Sequence, residues 1–166
     1  MKKVIFLLTL FPLLSLAKAS AQFEGTFGMG VHAAYGAEIN SLGAGAHIHY
    51  YRTNNVRFVP AMTFFHPRNG VNKWTAEADA HYILPVSPTI LFYPIAGLSF
   101  LHQNFDASRL KNSDESNWTK NRLGTNLGLG FQHDFRFRLR WNFDVKYNFA
   151  GDYSQMVFMT GIGFWI

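Results

Sequence analysis

Five side chains able to bind a metal or move a proton recur at alternate positions in two short stretches: His47 and His49, then Glu77, Asp79 and His81. Imidazole and carboxylate together suit zinc and similar ions. Their spacing decides what they can do. Positions i and i+2 share a face only in a β-strand, where they stand about 7 Å apart, and two strands flanking a common neighbour are about 10 Å apart. Four ligands within about 2 Å of one ion are hard to gather from such a lattice. The pattern therefore predicts histidines hydrogen-bonded to carboxylates, with no metal and no cofactor. A hydrolytic apparatus has a thinner basis. His32, His66 and His102 fall near the ends of strand-like segments and Ser99 near the base of a long connection, but no Ser–His–acid spacing links them. A nucleophile needs its base within hydrogen-bond reach, so no catalytic residue is assigned and the chain is expected not to be an enzyme.

The elements that would position these groups are strands. Residues 137–149 read FRLRWNFDVKYNF, apolar or aromatic at every odd number and polar or charged at every even one. That is one strand with an apolar face and a wet face. Thirteen residues exceed the usual soluble strand, whereas a tilted membrane-crossing strand needs only about 9–11. Seven further strand-like segments cover residues 23–34, 42–51, 56–65, 74–84, 90–101, 121–132 and 155–166. The segment 90–101 is apolar on both faces, and its orientation stays open. Pro60 and Pro94 each remove a ladder donor, so local irregularities in pairing are expected there. Connections alternate in length: those after segments two, four and six are short, 66–73 is longer and 102–120 is much the longest. The reading is an all-β, eight-stranded antiparallel up-and-down transmembrane β-barrel, with both termini on the side of the short turns, which in bacteria is the periplasm.

If the apolar faces meet lipid, the other faces line the interior. The expected lumenal polar network is Glu24, His47, His49, Arg57, Glu77, Asp79, His81, Arg122, Arg138, Arg140, Asp144 and Lys146. Its acids and bases are roughly matched, as an ion-pair network requires, because an unpaired charge there is costly. Eight strands enclose only enough room for their own side chains, so a closed lumen is expected ahead of a narrow pore. Glycines 124, 128 and 130 either leave space or admit arginines from neighbouring strands. Phe105, Arg109, Lys111 and Trp118 in the long connection are candidates for contact with an extracellular ligand. Ala44 and Ala46 with Ala76, Ala78 and Ala80 put small side chains on the outer face, and the last three are candidates for barrel–barrel contact, since small residues permit close approach.

The ends of the chain carry targeting signals. Lys2 and Lys3 precede an apolar run over residues 4–16, and small residues around Ala19 and Ala21 fit a cleavage site. Residues 1–21 read as a cleaved signal peptide and 22–166 as the barrel. Loss of Lys2, Lys3 and Lys18 lowers the net charge from +5 to +2, which removes most of the case for a nucleic-acid partner. Cysteine is absent, excluding disulfides and thiolate metal sites. At the other end Ile162, Phe164 and Ile166 alternate with small or aromatic residues. This resembles the terminal strand read by the outer-membrane barrel insertion machinery.

Signal segment, eight alternating segments and terminal strand together resemble the small OmpA/OmpX-type outer-membrane β-barrels. Residues 78–85 (ADAHYILP) and 93–98 (YPIAGL) are similar to pieces of the outer membrane beta-barrel domain families of Gram-negative bacteria. The resemblance implies a bacterial outer-membrane location, with outer-membrane lipid and the insertion machinery as partners. It supplies no catalytic motif. The leading expectation is a non-enzymatic barrel with a closed polar lumen, acting through extracellular loops in surface interaction or envelope integrity. The alternative is an accessory subunit of a larger outer-membrane complex. A lipid A-modifying barrel enzyme or a narrow pore stands behind both.

Overall fold

The computed structural model describes residues 24–68, 70–106, 116–135 and 138–166. The signal-peptide assignment lies outside them. Eight long strands follow in order: β1 (Phe27–Gly36), β2 (Ser41–Tyr51), β3 (Val56–Arg68), β4 (Val71–Tyr82), β5 (Ile90–Phe105), β6 (Trp118–Asp134), β7 (Leu139–Phe149) and β8 (Gln155–Trp165). Each pairs antiparallel with the next, and β1 closes the sheet by pairing with β8. The fold class expected from the alternation is borne out: a closed eight-stranded antiparallel barrel.

Alternation decides which side chain goes where, and here it runs opposite to a soluble protein. Val31, Leu98, Leu123 and Ile162 face outward and are at least half exposed, while Arg57 and Arg140 are fully buried. Burying those charges inside and exposing a continuous apolar belt outside is favourable only when the outside is lipid. The open question of residues 90–101 also closes. Odd positions of β5 point inward (Leu91, Tyr93, Ile95, Ser99, Leu101) and even ones outward.

Several boundaries differ from expectation. β1 begins at Phe27, so Glu24 sits in a preceding turn. β5 runs on to Phe105 and β6 starts at Trp118, which trims the long connection to residues 106–117. The segment 66–73 is no loop: β3 continues to Arg68, β4 starts at Val71, and Gly70 takes φ +76 between them. An Asn-Gly pair at 69–70 is the standard signal for such a two-residue hairpin, and the ladder absorbs the fit by a register shift between Phe65 and Arg68. β7 begins at Leu139, because Arg138 turns with φ +64.

The prolines act as expected, but without bulges. Pro60 keeps full register with β4 at Ala78, while the β2–β3 ladder lapses opposite it between His47–Ala61 and Tyr50–Phe58 and then resumes unshifted. Pro94 pairs with Leu129 of β6, while its ladder to β4 lapses at Tyr82 and Ile83 and resumes unshifted through a two-residue continuation, Leu84–Pro85. A proline lacks one donor, so only the neighbour on that side loses pairing.

Candidate functional site

The interior is layered. At the end holding the chain termini, Tyr51, Ile83, Leu91, Tyr93 and Ile95 form an apolar cap with Trp165 against it. At the opposite end, Ala34, Phe65, Val157 and Met159 form a second, with Ile39. Between them lies a polar girdle.

Lys146 anchors the girdle. Its Nζ lies 2.6 Å from Glu77 Oε2 and 2.7 Å from Asp79 Oδ2, and all three side chains are nearly inaccessible. Asn126 donates to Asp79 Oδ1 at 2.8 Å, and Asn148 donates to Asn126 Oδ1 at 2.9 Å and to Ser99 Oγ at 2.6 Å. A buried ion pair is tolerable only when its remaining donors and acceptors are used in this way. The histidines avoid these carboxylates, contrary to expectation. His32 pairs with Thr63 at 2.9 Å and with His47 at 3.2 Å. His47 and His49 stack at 4.7 Å, and His81 stacks on Tyr93 at 4.7 Å. Lys146 has already claimed the two carboxylates that alternation brought nearest. Among the described residues no group of three or more His, Asp or Glu is placed to hold a metal ion.

The arginines also depart from a closed ion-pair network. Arg57 donates to His81 Nδ1 at 3.1 Å, to Tyr51 Oη at 2.9 Å and to Gln132 Oε1. Its guanidinium lies 4.3 Å from the Tyr93 ring centre. Arg140 lies 4.2 Å from the Trp165 ring, and its nitrogens have no hydrogen-bonding partner among the described residues. Asp144 is held by Tyr93, which donates at 2.6 Å. Aromatic faces thus take the place of carboxylates for both arginines.

Nine of the twelve expected network residues are buried in the lumen: His47, His49, Arg57, Glu77, Asp79, His81, Arg140, Asp144 and Lys146. Three are corrected. Glu24 is exposed, with its backbone N–H on Asn54 Oδ1 at 3.2 Å. Arg138 is exposed in the turn before β7. Arg122 has the inward parity but lies beyond the apolar cap, exposed, 5.9 Å from the Tyr153 ring. Strand parity applied to every polar side chain would have added His32, Asn126, Gln132, Asn142 and Asn148 to the network; all are buried. Glycines 128 and 130 open no channel. A Cβ on Gly130 would strike the Tyr93 ring and the Asp144 carboxylate, and one on Gly128 would meet Lys146 at 2.9 Å. They admit a tyrosine and a lysine rather than arginines.

The remaining candidates divide by location. Phe105 is buried, not a loop contact, and stacks on Trp118 at 5.6 Å, both at strand ends. Arg109 and Lys111 lie outside the described residues. Ala76, Ala78 and Ala80 face outward on β4. Ile162, Phe164 and Ile166 face outward at the end of the chain. His32 and Ser99 lie inside the lumen, His66 is exposed, and His102 stacks on Trp74 outside, so these four do not come together as a hydrolytic set.

This architecture defines the class: the fold is that of the small eight-stranded outer-membrane barrels. No protein-family model matches the sequence, and no curated protein sequence matches it. Solved structures do. The N-terminal β-barrel domain of Pseudomonas aeruginosa OprF superposes with TM-score 0.68 at 18% identity, covering 86% of this chain and 98% of that one. Neisserial surface protein A gives 0.64 at 15% identity, over 85% and 97%. Ail, the attachment invasion locus protein of Yersinia pestis, gives 0.61 at 14% identity, over 86% and 99%. At such identities the likeness is one of fold.

Proposed function

We propose that this chain is a non-enzymatic outer-membrane anchor that works through the rim opposite its termini. Residues 1–21 direct export, the alternating strand ending in Phe164 and Ile166 is offered to the insertion machinery, and both termini stay in the periplasm. The observation that carries the reading is the lumen, capped by apolar clusters at both ends with a packed polar girdle between. A filled interior leaves the lipid belt and the rims as the surfaces where anything can happen, and the twelve-residue connection 106–117 is the longest feature of either rim. The roles it supports are surface interaction and envelope integrity. An epitope inserted in that connection should be reached by antibody on intact cells, whereas one inserted at 86–89 should not. Planar-bilayer recordings should stay silent. Reversed accessibility or discrete conductance steps would overturn the reading.

A second reading is an accessory subunit of an outer-membrane complex. Its support is a pair of apolar depressions on the outer wall where the prolines interrupt the ladders. One of about 510 Å³ is bordered by Ala80, Tyr82, Pro94, Ala96 and Leu127, the other of about 780 Å³ by Val31, Ala46, Pro60, Met62 and Ile162. Extraction in mild detergent separates the readings. A species of the barrel's own mass supports the solitary anchor. A larger particle that falls apart on Ala80→Phe supports the subunit.

A further inference from the structure

Among the described residues the buried cations are Arg57, Lys73, Arg140 and Lys146. Lys146 has its two carboxylates, and Arg57 and Arg140 have their aromatic faces. Lys73, at the start of β4, is only 5% exposed, and its Nζ has no hydrogen-bonding partner among the described residues. The Phe65 ring lies 5.7 Å away, on the apolar cap beneath it. An ammonium withdrawn from water without a partner is costly, and a charge-assisted bond to an anion repairs that cost.

Lys73 borders a cavity of about 370 Å³ at the mouth of the barrel, opposite the termini. The volume is at the lower end of the range that holds a small organic molecule. Ile39, Phe65, Trp118 and Tyr153 supply apolar and aromatic wall. Two further cations lean over that wall from outside. Lys120 lies 4.8 Å from the Trp118 ring and 5.5 Å from Tyr153, and Arg122 lies 5.9 Å from Tyr153. The acid in the lining, Glu38, accepts the Met156 backbone N–H at 2.6 Å, and its charge and that of Glu77 act on Lys73 without a hydrogen bond to it.

The geometry points to a binding site for a small organic anion, its carboxylate or phosphate on Lys73 Nζ and its ring against Phe65, Trp118 and Tyr153. Accessibility of this site from outside the cell rests on the orientation proposed above; its existence does not. The mature chain in zwitterionic nanodiscs is titrated with 4-fluorobenzoate and followed by fluorine NMR. Saturable binding is expected, with the neutral isostere 4-fluorobenzamide at least about tenfold weaker. Lys73→Met, which keeps the length of the side chain and is checked for fold by circular dichroism, loses at least about tenfold, and Lys73→Arg retains binding. Tyr153→Ala, outside the lumen on a surface turn, weakens binding while leaving Lys73 in place. Absence of saturable binding, equal affinity for the amide, or wild-type affinity in Lys73→Met overturns the site. Nanodiscs containing phosphatidylglycerol identify the source. Competition makes the anion a lipid headgroup and undiminished binding makes it a soluble molecule; either outcome upholds the site. The assay uses purified protein, so its failure leaves the cell-surface epitope result standing, and the reverse.

Discussion

Lys146 is the residue on which the interior depends most. Glu77 and Asp79 are two carboxylates on one face of one strand, and neither can remain charged and buried without it. Lys146→Met should destabilise the barrel by about 3–5 kcal/mol, because breaking a buried pair strands the partner charges. Replacing all three together, with Glu77→Gln and Asp79→Asn, should recover most of the loss. Urea unfolding in lipid vesicles measures both. A single variant as stable as wild type would mean that water reaches the carboxylates. Alternation alone was enough to place these three residues in the lumen. Pairing was not legible, since Lys146 lies on β7 and reaches β4 across the interior rather than along the ladder. The histidine–carboxylate contacts failed for that reason.

At the scale of strands, the prolines explain where the wall is weakest. Pro60 and Pro94 lack the donors that their neighbours would use, and pairing lapses beside each without a change of register. Within a bilayer an unpaired backbone group has no water to turn to. Pro60→Val should therefore close the β2–β3 ladder, raising hydrogen-exchange protection around Ile48 and His49 and stabilising the barrel by roughly 0.5–1.5 kcal/mol. Unchanged protection there would show that the lapse comes from sheet curvature and not from the missing donor. The irregularity at Pro60 could be read from sequence; its confinement to one side required the register. The hairpin at Gly70 was legible in the Asn-Gly pair, yet the charged and exposed flank His66-Pro67-Arg68 looked like loop.

The whole molecule is organised by two surfaces of opposite polarity one strand-thickness apart. A charge placed on the lipid side has no lumen to retreat into. Val31, 65% exposed in the middle of β1, is such a position. Val31→Arg should cost about 2–4 kcal/mol of folding into bilayers, measured by refolding into vesicles, while the same variant should lose far less in a mobile detergent micelle. Equal losses in both would place Val31 outside the hydrocarbon. The same geometry makes the rims the sites of interaction: eight strands give a lumen that side chains fill, and here aromatic residues from β2, β5 and β8 complete the closure at one end.

Period-two alternation determined the strand count, the inside and outside of seven strands, and the polar character of the interior, because a strand's geometry forces alternate side chains to opposite faces. It also marked the lipid belt, which no soluble strand of that length would expose. Only the closed barrel decided who meets whom inside: Lys146 with Glu77 and Asp79, Arg57 with Tyr93, Arg140 with Trp165, and Lys73 with the Phe65 ring but, among the described residues, no hydrogen-bonding partner. Those meetings depend on the register and curvature that bring distant strands face to face across the lumen. Neither is encoded in the period of any single strand.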